Sequence, residues 1–258
     1  MRIAIIGIGK MGSWLAKQLS FKHQLAVFDI DPRRASRIEN AKVLASIDEI
    51  REFSPQLLIN SVSLDKTIEV FEDVLIHTPP ECIISDVASI KGELADFYKK
   101  CRRRFVSVHP MFGPTFANME MLKHENAVII SESDKQGGAF FKDFFSSFGL
   151  RIFEYTFSEH DEMMAYSLTT PFVSSLVFTS CLDKTAVPGT TFLRHMEIAK
   201  KLLSEDDSLI CEILFNPHSL KQLDKMTSKL EYLKHIIRAR DTSEATKLLS
   251  LLRKNLEE

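Results

Sequence analysis

The stretch IAIIGIGKMGSWLAKQL, residues 3–19, constrains this chain more than any other. Residues 3–6 form an apolar run that reads as a buried strand, and residues 11–20 carry the spacing of an amphipathic helix. Between them Gly7, Gly9 and Gly12 stand at G-x-G-x-x-G spacing. Gly7 permits the tight turn, Gly9 lets a pyrophosphate approach the backbone, and Gly12 lets the helix pack on the strand. The helix N-terminus, with Lys10 and Met11 in the same turn, offers free N–H groups and a partial positive charge to phosphates. A second apolar run, 25–28, leads into VFDIDP and places Asp29 seventeen residues past Gly12, where a carboxylate accepts ribose hydroxyls. The expectation is a dinucleotide held by Gly7, Gly9, Lys10, Met11, Gly12 and Asp29; the alternative is an unrelated glycine turn with Asp29 as a cap. Asp29 repels a ribose 2′-phosphate, which favours NAD over NADP. Arg33 and Arg34 follow it, as solvated residues or as partners for such a phosphate.

Further apolar runs at 57–60, 82–85, 105–108, 127–130 and 152–155 alternate with helical patterns at 64–76, 90–100 and 138–148. That rhythm predicts a parallel sheet covered on both faces. After Thr156 the strand signals stop. Leu223, Met226, Leu230, Leu233 and Ile237 recur at alternating steps of three and four, a helix with one apolar seam, and a last helix is expected over 243–256. The expected architecture is an α/β Rossmann-type doubly wound sheet over residues 1–156, followed by an all-α dimerisation and substrate domain over 157–258. The seam suggests a homodimer through the C-terminal helices.

Composition removes several classes. A net charge of −2 gives no footprint for nucleic acid or an anionic membrane surface. No apolar stretch reaches the length of a membrane span, and the first residues read as a strand, not a signal peptide. The four cysteines (Cys82, Cys101, Cys181, Cys211) lack metal-ligand spacing and read as free thiols, so the expected compartment is the cytoplasm.

In a doubly wound sheet, ligands bind beyond the carboxyl ends of the strands. The polar residues there are Asn60, Ser61 and Ser63, then Ser85, Asp86 and Ser89 with Lys91 following, then His109. Ser61, Ser63 and Asp86 are taken as further cofactor contacts. Structural roles compete: Ser63 and Ser89 as helix caps, Asp86 as a turn residue, Lys91 as a solvated side chain. His109 is harder to dismiss. It ends a central strand, Pro110 bars that strand from continuing as a paired central one, and Gly113-Pro114 forces a turn, so its imidazole sits rigidly where a substrate would meet a nicotinamide.

GIGKMG, DVASIK, HPMFGPT and the EHD that opens the helical half together resemble the prephenate dehydrogenase family, including its arogenate-using relatives. HPMFGP, with its histidine twenty residues after Ser89 of D-x-x-S-x-K, is the most specific element. The resemblance spans essentially the whole chain, and neither a fused chorismate mutase nor a C-terminal regulatory domain is expected. It implies that prephenate and NAD give 4-hydroxyphenylpyruvate, carbon dioxide and NADH. It makes His109 the catalytic histidine, binding the ring hydroxyl and taking its proton, with Ser89 bonding the same hydroxyl near the nicotinamide. Ser89, His109, Thr115 and Arg194 become the substrate contacts, Arg194 as the carboxylate clamp or else a surface partner of Glu197. Many relatives carry histidine where Phe172 stands here, so Tyr166, Thr169 or Thr170 would have to substitute. Some carry an acidic residue after the HP-x-x-G turn, where this chain has Pro114 and Thr115. The family pair His160-Asp161 is expected to be structural. Phe172 and Thr115 supply no carboxylate for arogenate's ammonium, which leans to prephenate. A catalytically silent NAD-binding regulatory protein is the alternative of a different class.

Overall fold

The computed structural model describes residues 1–113, 122–183, 185 and 187–257. Eight strands form one sheet: β1 (Arg2–Ile6), β2 (Gln24–Phe28), β3 (Ala41–Val43), β4 (Leu57–Asn60), β5 (Ile83–Asp86), β6 (Phe105–Pro110), β7 (Asn126–Ile130) and β8 (Arg151–Tyr155). Their order is β3-β2-β1-β4-β5-β6-β7-β8. Neighbours run parallel except β6 and β7, which pair antiparallel, so the sheet is mixed where an all-parallel one was expected. Strand β3 left no apolar signal because it is a three-residue edge with exposed side chains.

Alternation along the strands builds two cores. Ile3, Ile5, Leu57, Ile59, Val106 and Val108 pack with Trp14, Leu15 and Leu19 of α1 (Lys10–Leu19) and with Phe141 and Phe145 of α6 (Lys135–Ser146). Ala4, Ile6, Leu58 and Ile84 face the other way, onto Phe71 and Val74 of α4 (Leu64–Leu75) and onto Leu94 and Tyr98 of α5 (Leu94–Cys101). The short helices α2 (Pro32–Ala35) and α3 (Ile50–Phe53) complete this half. The sheet is therefore doubly wound, as expected.

Pro110 is the last residue of β6 and is paired on one side only, as its missing N–H requires. Strand β6 changes partner part-way, pairing with β5 through Ser107 and with β7 from Val108 to Pro110. Past Asp86 there is no β5 neighbour left, so a residue without an N–H costs no bond there. Helix α5 starts at Leu94, four residues later than expected, because the amides of Lys91 and Gly92 are bonded to Asp161 instead.

The rest of the chain is helical: α7 (Phe157–Met164), a π-helical turn (Ala165–Thr169), α8 (Thr170–Ser180), α9 (Thr190–Leu202), α10 (Asp207–Leu214), α11 (Ser219–Ala239) and α12 (Thr242–Lys254). Thr156 caps α7 in a reciprocal box with Glu159. Thr169 Oγ1 meets Ser219 Oγ at 2.8 Å and the Ile213 carbonyl at 3.2 Å, which ties the π-helical turn to α10 and α11. None of the helices among the described residues is long and apolar enough to cross a membrane.

Candidate active site

A cavity of about 860 Å³ lies at the carboxyl ends of β1, β2, β4 and β6, and side chains of the helical half form its opposite wall. One end is the glycine turn. Gly7 sits at φ +85°, and a Cβ there would reach 2.8 Å from Val62, so the position requires glycine. A Cβ on Gly12 would overlap the Gly7 carbonyl oxygen and come within 2.5 Å of Ser61 Oγ. A Cβ on Gly9 would point into open space, with no neighbouring group within 4 Å of it. Asp29 lines the same cavity, and its carboxylate accepts from Ile8 N at 2.6 Å and Asp31 N at 2.8 Å. An open Gly9 face, exposed Lys10 and an adjacent fixed carboxylate fit a dinucleotide's pyrophosphate and ribose. Arg34 lines the cavity as well, whereas Arg33 turns to Asp31 at 2.9 Å.

Other predicted contacts fall differently. Ser61 borders the cavity, but its hydroxyl donates to the Gly7 carbonyl at 2.6 Å and braces the turn. Ser63 lines the cavity at the N-cap position of α4 without a side-chain cap bond; Glu212 of α10 accepts from Leu64 N at 2.9 Å instead. Met11 borders the cavity. Asp86 does not: it is fully buried beneath the site, bonded to Lys91 Nζ at 2.7 Å and to the Tyr98 hydroxyl at 2.8 Å. Lys91, expected in solvent, is also fully buried, because its ammonium also donates to the Val108 carbonyl at 2.8 Å. Burial depresses the Lys91 ammonium's pKa against the opposing pull of Asp86, and burial with Asp86 pushes the Tyr98 phenol well up.

At the other end Ser89 and His109 line the cavity together. The turn after His109 is anchored by Phe112, whose ring meets Trp14 edge-on at 5.0 Å. His109 Nδ1 lies 3.1 Å from His160 Nε2, and His160 Nδ1 lies 2.9 Å from Asp161 Oδ1. The Asp161 carboxylate also accepts from Lys91 N at 2.8 Å and Gly92 N at 2.7 Å. Burial lowers the His109 pKa well below the usual imidazole value, with His160 and Lys91 adding to it. Burial also lowers His160, outweighing its bond to Asp161. Burial raises Asp161, but the bonds to His160 and the two amides prevail, and its carboxyl stays below the usual range.

The helical wall here is Leu168, Phe172, Leu209 and Ile213, with Glu212 beside them. Tyr166, Thr169 and Thr170 are not part of it; Tyr166 is exposed and Thr169 is spent between helices. Arg194 lies exposed on α9, away from the cavity wall. Thr115 lies outside the described residues. Sequence reasoning missed the bond from His160 to His109, because the two residues are fifty-one positions apart. It also missed Glu212, which sits in a helix whose spacing gave no sign of a cavity.

A family model, prephenate dehydrogenase, nucleotide-binding domain, matches residues 15–152. The chain belongs to the prephenate dehydrogenase family. The match begins after the glycine turn, so the dinucleotide cradle stands on its own geometry. Arogenate dehydrogenase 1, chloroplastic, of Arabidopsis thaliana is 23% identical over 250 residues, which covers 91% of this chain and 39% of that protein. The chain thus spans about two fifths of the length of the curated relative it matches. Prephenate dehydrogenase from A. aeolicus, crystallised with hydroxyphenyl propionate and NAD+, superposes with TM-score 0.85 at 21% identity, covering 100% of this chain and 98% of that one. Synechocystis arogenate dehydrogenase gives TM-score 0.80 at 18% identity, covering 100% and 99%. At these identities the likeness establishes the fold.

Proposed function

We propose that the protein is an NAD-dependent prephenate dehydrogenase of tyrosine biosynthesis, converting prephenate to 4-hydroxyphenylpyruvate and carbon dioxide. The observation that carries this reading is one cavity holding both the glycine cradle and the Ser89–His109 pair, with the imidazole kept uncharged by burial. Gly7, Gly9, Lys10, Met11 and Asp29 would hold the dinucleotide, with Gly12 and Ser61 shaping its turn. Bound there, the nicotinamide supplies the acceptor for the hydride lost from the substrate ring.

Ser89 orients the ring hydroxyl, and His109 accepts its hydrogen bond. His109 takes the hydroxyl proton as the ring carbon is oxidised. It returns that proton to the phenolate oxygen once the ring carboxylate has left as carbon dioxide. Aromatisation drives the departure, so no strong acid is needed, and a positioned base of this kind contributes about 10²- to 10⁴-fold. Asp29 favours NAD; Arg34, on the same wall, is the residue an NADP reading would use. Glu212 favours a second substrate reading, arogenate, since its carboxylate borders the same cavity and suits an ammonium.

Steady-state NADH and NADPH formation from prephenate and from arogenate, each with NAD and NADP, tests all of this. Turnover of prephenate with NAD is expected; nucleotide binding with no turnover of either acid supports the silent regulatory reading instead. The reading includes a homodimer, because Leu193 and Ile198 of α9 and Leu230, Leu233 and Ile237 of α11 leave apolar surface exposed. Sedimentation as a monomer contradicts that part. A cytoplasmic location belongs to the same reading and rests on the four free cysteines.

A further inference from the structure

The reaction leaves a buried pair unused. His160 and Asp161 sit in α7 at 0% and 6% exposure, one hydrogen bond behind His109. An ionised carboxylate can only accept, and Asp161 already takes the amides of Lys91 and Gly92. The proton between Asp161 and His160 therefore sits on His160 Nδ1. A neutral imidazole carries one N–H, so His160 Nε2 is an acceptor. The proton between the two rings then sits on His109 Nδ1, and the His109 lone pair is left on Nε2.

We propose that Asp161 and His160 are positioning residues whose hydrogen bonds impose this tautomer on His109 and make its Nε2 the base. The proposal rests on the reading of His109 as proton acceptor for the ring hydroxyl. The groups facing His109 agree with it. From the turn after β5 comes the buried Lys91 ammonium, which opposes a resting positive charge on either ring, as burial also does. From β5 comes Asp86, paired to that ammonium at 2.7 Å. From α7 come His160 and Asp161 themselves. When His109 gains the substrate proton, its Nδ1–H bond to His160 is kept, and the Asp161 carboxylate beyond stabilises the new charge. A merely structural Asp161 would need only its two amide partners, with no order imposed on the ring protons.

Imidazole nitrogen NMR on histidine-labelled protein reads the tautomer directly. In the wild type, His109 is expected to be protonated at Nδ1 and bare at Nε2. Asp161→Ala removes the acceptor that fixes the His160 Nδ1 proton, so the order of the ring protons is no longer imposed and a share of His109 becomes N–H at Nε2. The kcat of that variant should fall by about 10²-fold or more with KM for both substrates unchanged, since a wrongly protonated histidine in the serine-protease triad costs about 10⁴. His160→Gln keeps an acceptor for His109 Nδ1–H and should retain most turnover; His160→Phe removes it and should not. A wild-type His109 protonated at Nε2 overturns the proposal, as does an Asp161→Ala enzyme with wild-type tautomer and kcat. The NMR measurement needs no substrate, so its outcome stands even if neither prephenate nor arogenate is turned over.

Discussion

Replacing Lys91 by methionine probes the ion pair beneath the site. Methionine keeps an unbranched apolar stem of similar length and removes the ammonium alone. In the wild type that ammonium sits 2.7 Å from Asp86 Oδ1 and 2.8 Å from the Val108 carbonyl, with both charged side chains at zero exposure. The variant leaves the Asp86 carboxylate buried with only the Tyr98 hydroxyl and the Ala88 amide, and leaves the Val108 carbonyl short of a donor. Removing one partner of such a buried pair costs about 3–5 kcal/mol. For a chain of this size that corresponds to a fall in Tm of about 6–20 °C. Urea denaturation and calorimetry on Lys91→Met, Asp86→Asn and the double variant measure it. The double variant should lose less than the sum of the singles, because it strands no charge. A loss below about 1 kcal/mol for Lys91→Met is the value of a solvated surface pair, and would refute the claim that this pair is desolvated.

The two turn glycines separate folding from binding. Gly12→Ala forces a Cβ into the Gly7 carbonyl and should lose both dinucleotide binding and stability; Gly9→Ala, with open space around it, should melt like the wild type yet bind NADH more weakly in a fluorescence titration. Equal NADH affinity in Gly9→Ala would contradict the cradle. Acid should also destabilise the fold. His109 and His160 hold pKa values below the unfolded imidazole value of about 6.5, so above that pH neither state is charged and stability is full. As pH falls through about 6.5 the unfolded chain binds protons that the folded chain refuses, and stability declines. A urea midpoint that is flat between roughly pH 7.5 and 5 would contradict those depressed values.

The nucleotide half was legible because its signals are local. The glycine spacing, the alternating apolar runs and Asp29 each act within about thirty residues, and the strand and helix periods report burial directly. What the sequence hid depends on pairing at a distance. Lys91 looks solvated until β5, β6 and α7 converge on it, and Asp86 looks like a cavity residue until Lys91 and Tyr98 claim it. Pro110, by contrast, behaves as its missing N–H requires: β6 has left β5 before reaching it and ends there, paired with β7 alone. Ser63 stands at its helix N-cap as expected, yet a carboxylate from α10 does the bonding. Arg194 was placed from the resemblance; it is exposed on α9 and is not among the residues that line the cavity.

The decisive measurement is His109→Asn, with kcat and the dissociation constants for prephenate and NAD determined on the same preparation. An imidazole that takes the ring-hydroxyl proton predicts a kcat lowered by about 10²- to 10⁴-fold with both dissociation constants essentially unchanged. A variant that turns over at the wild-type rate, or one whose affinities collapse along with its rate, contradicts the account.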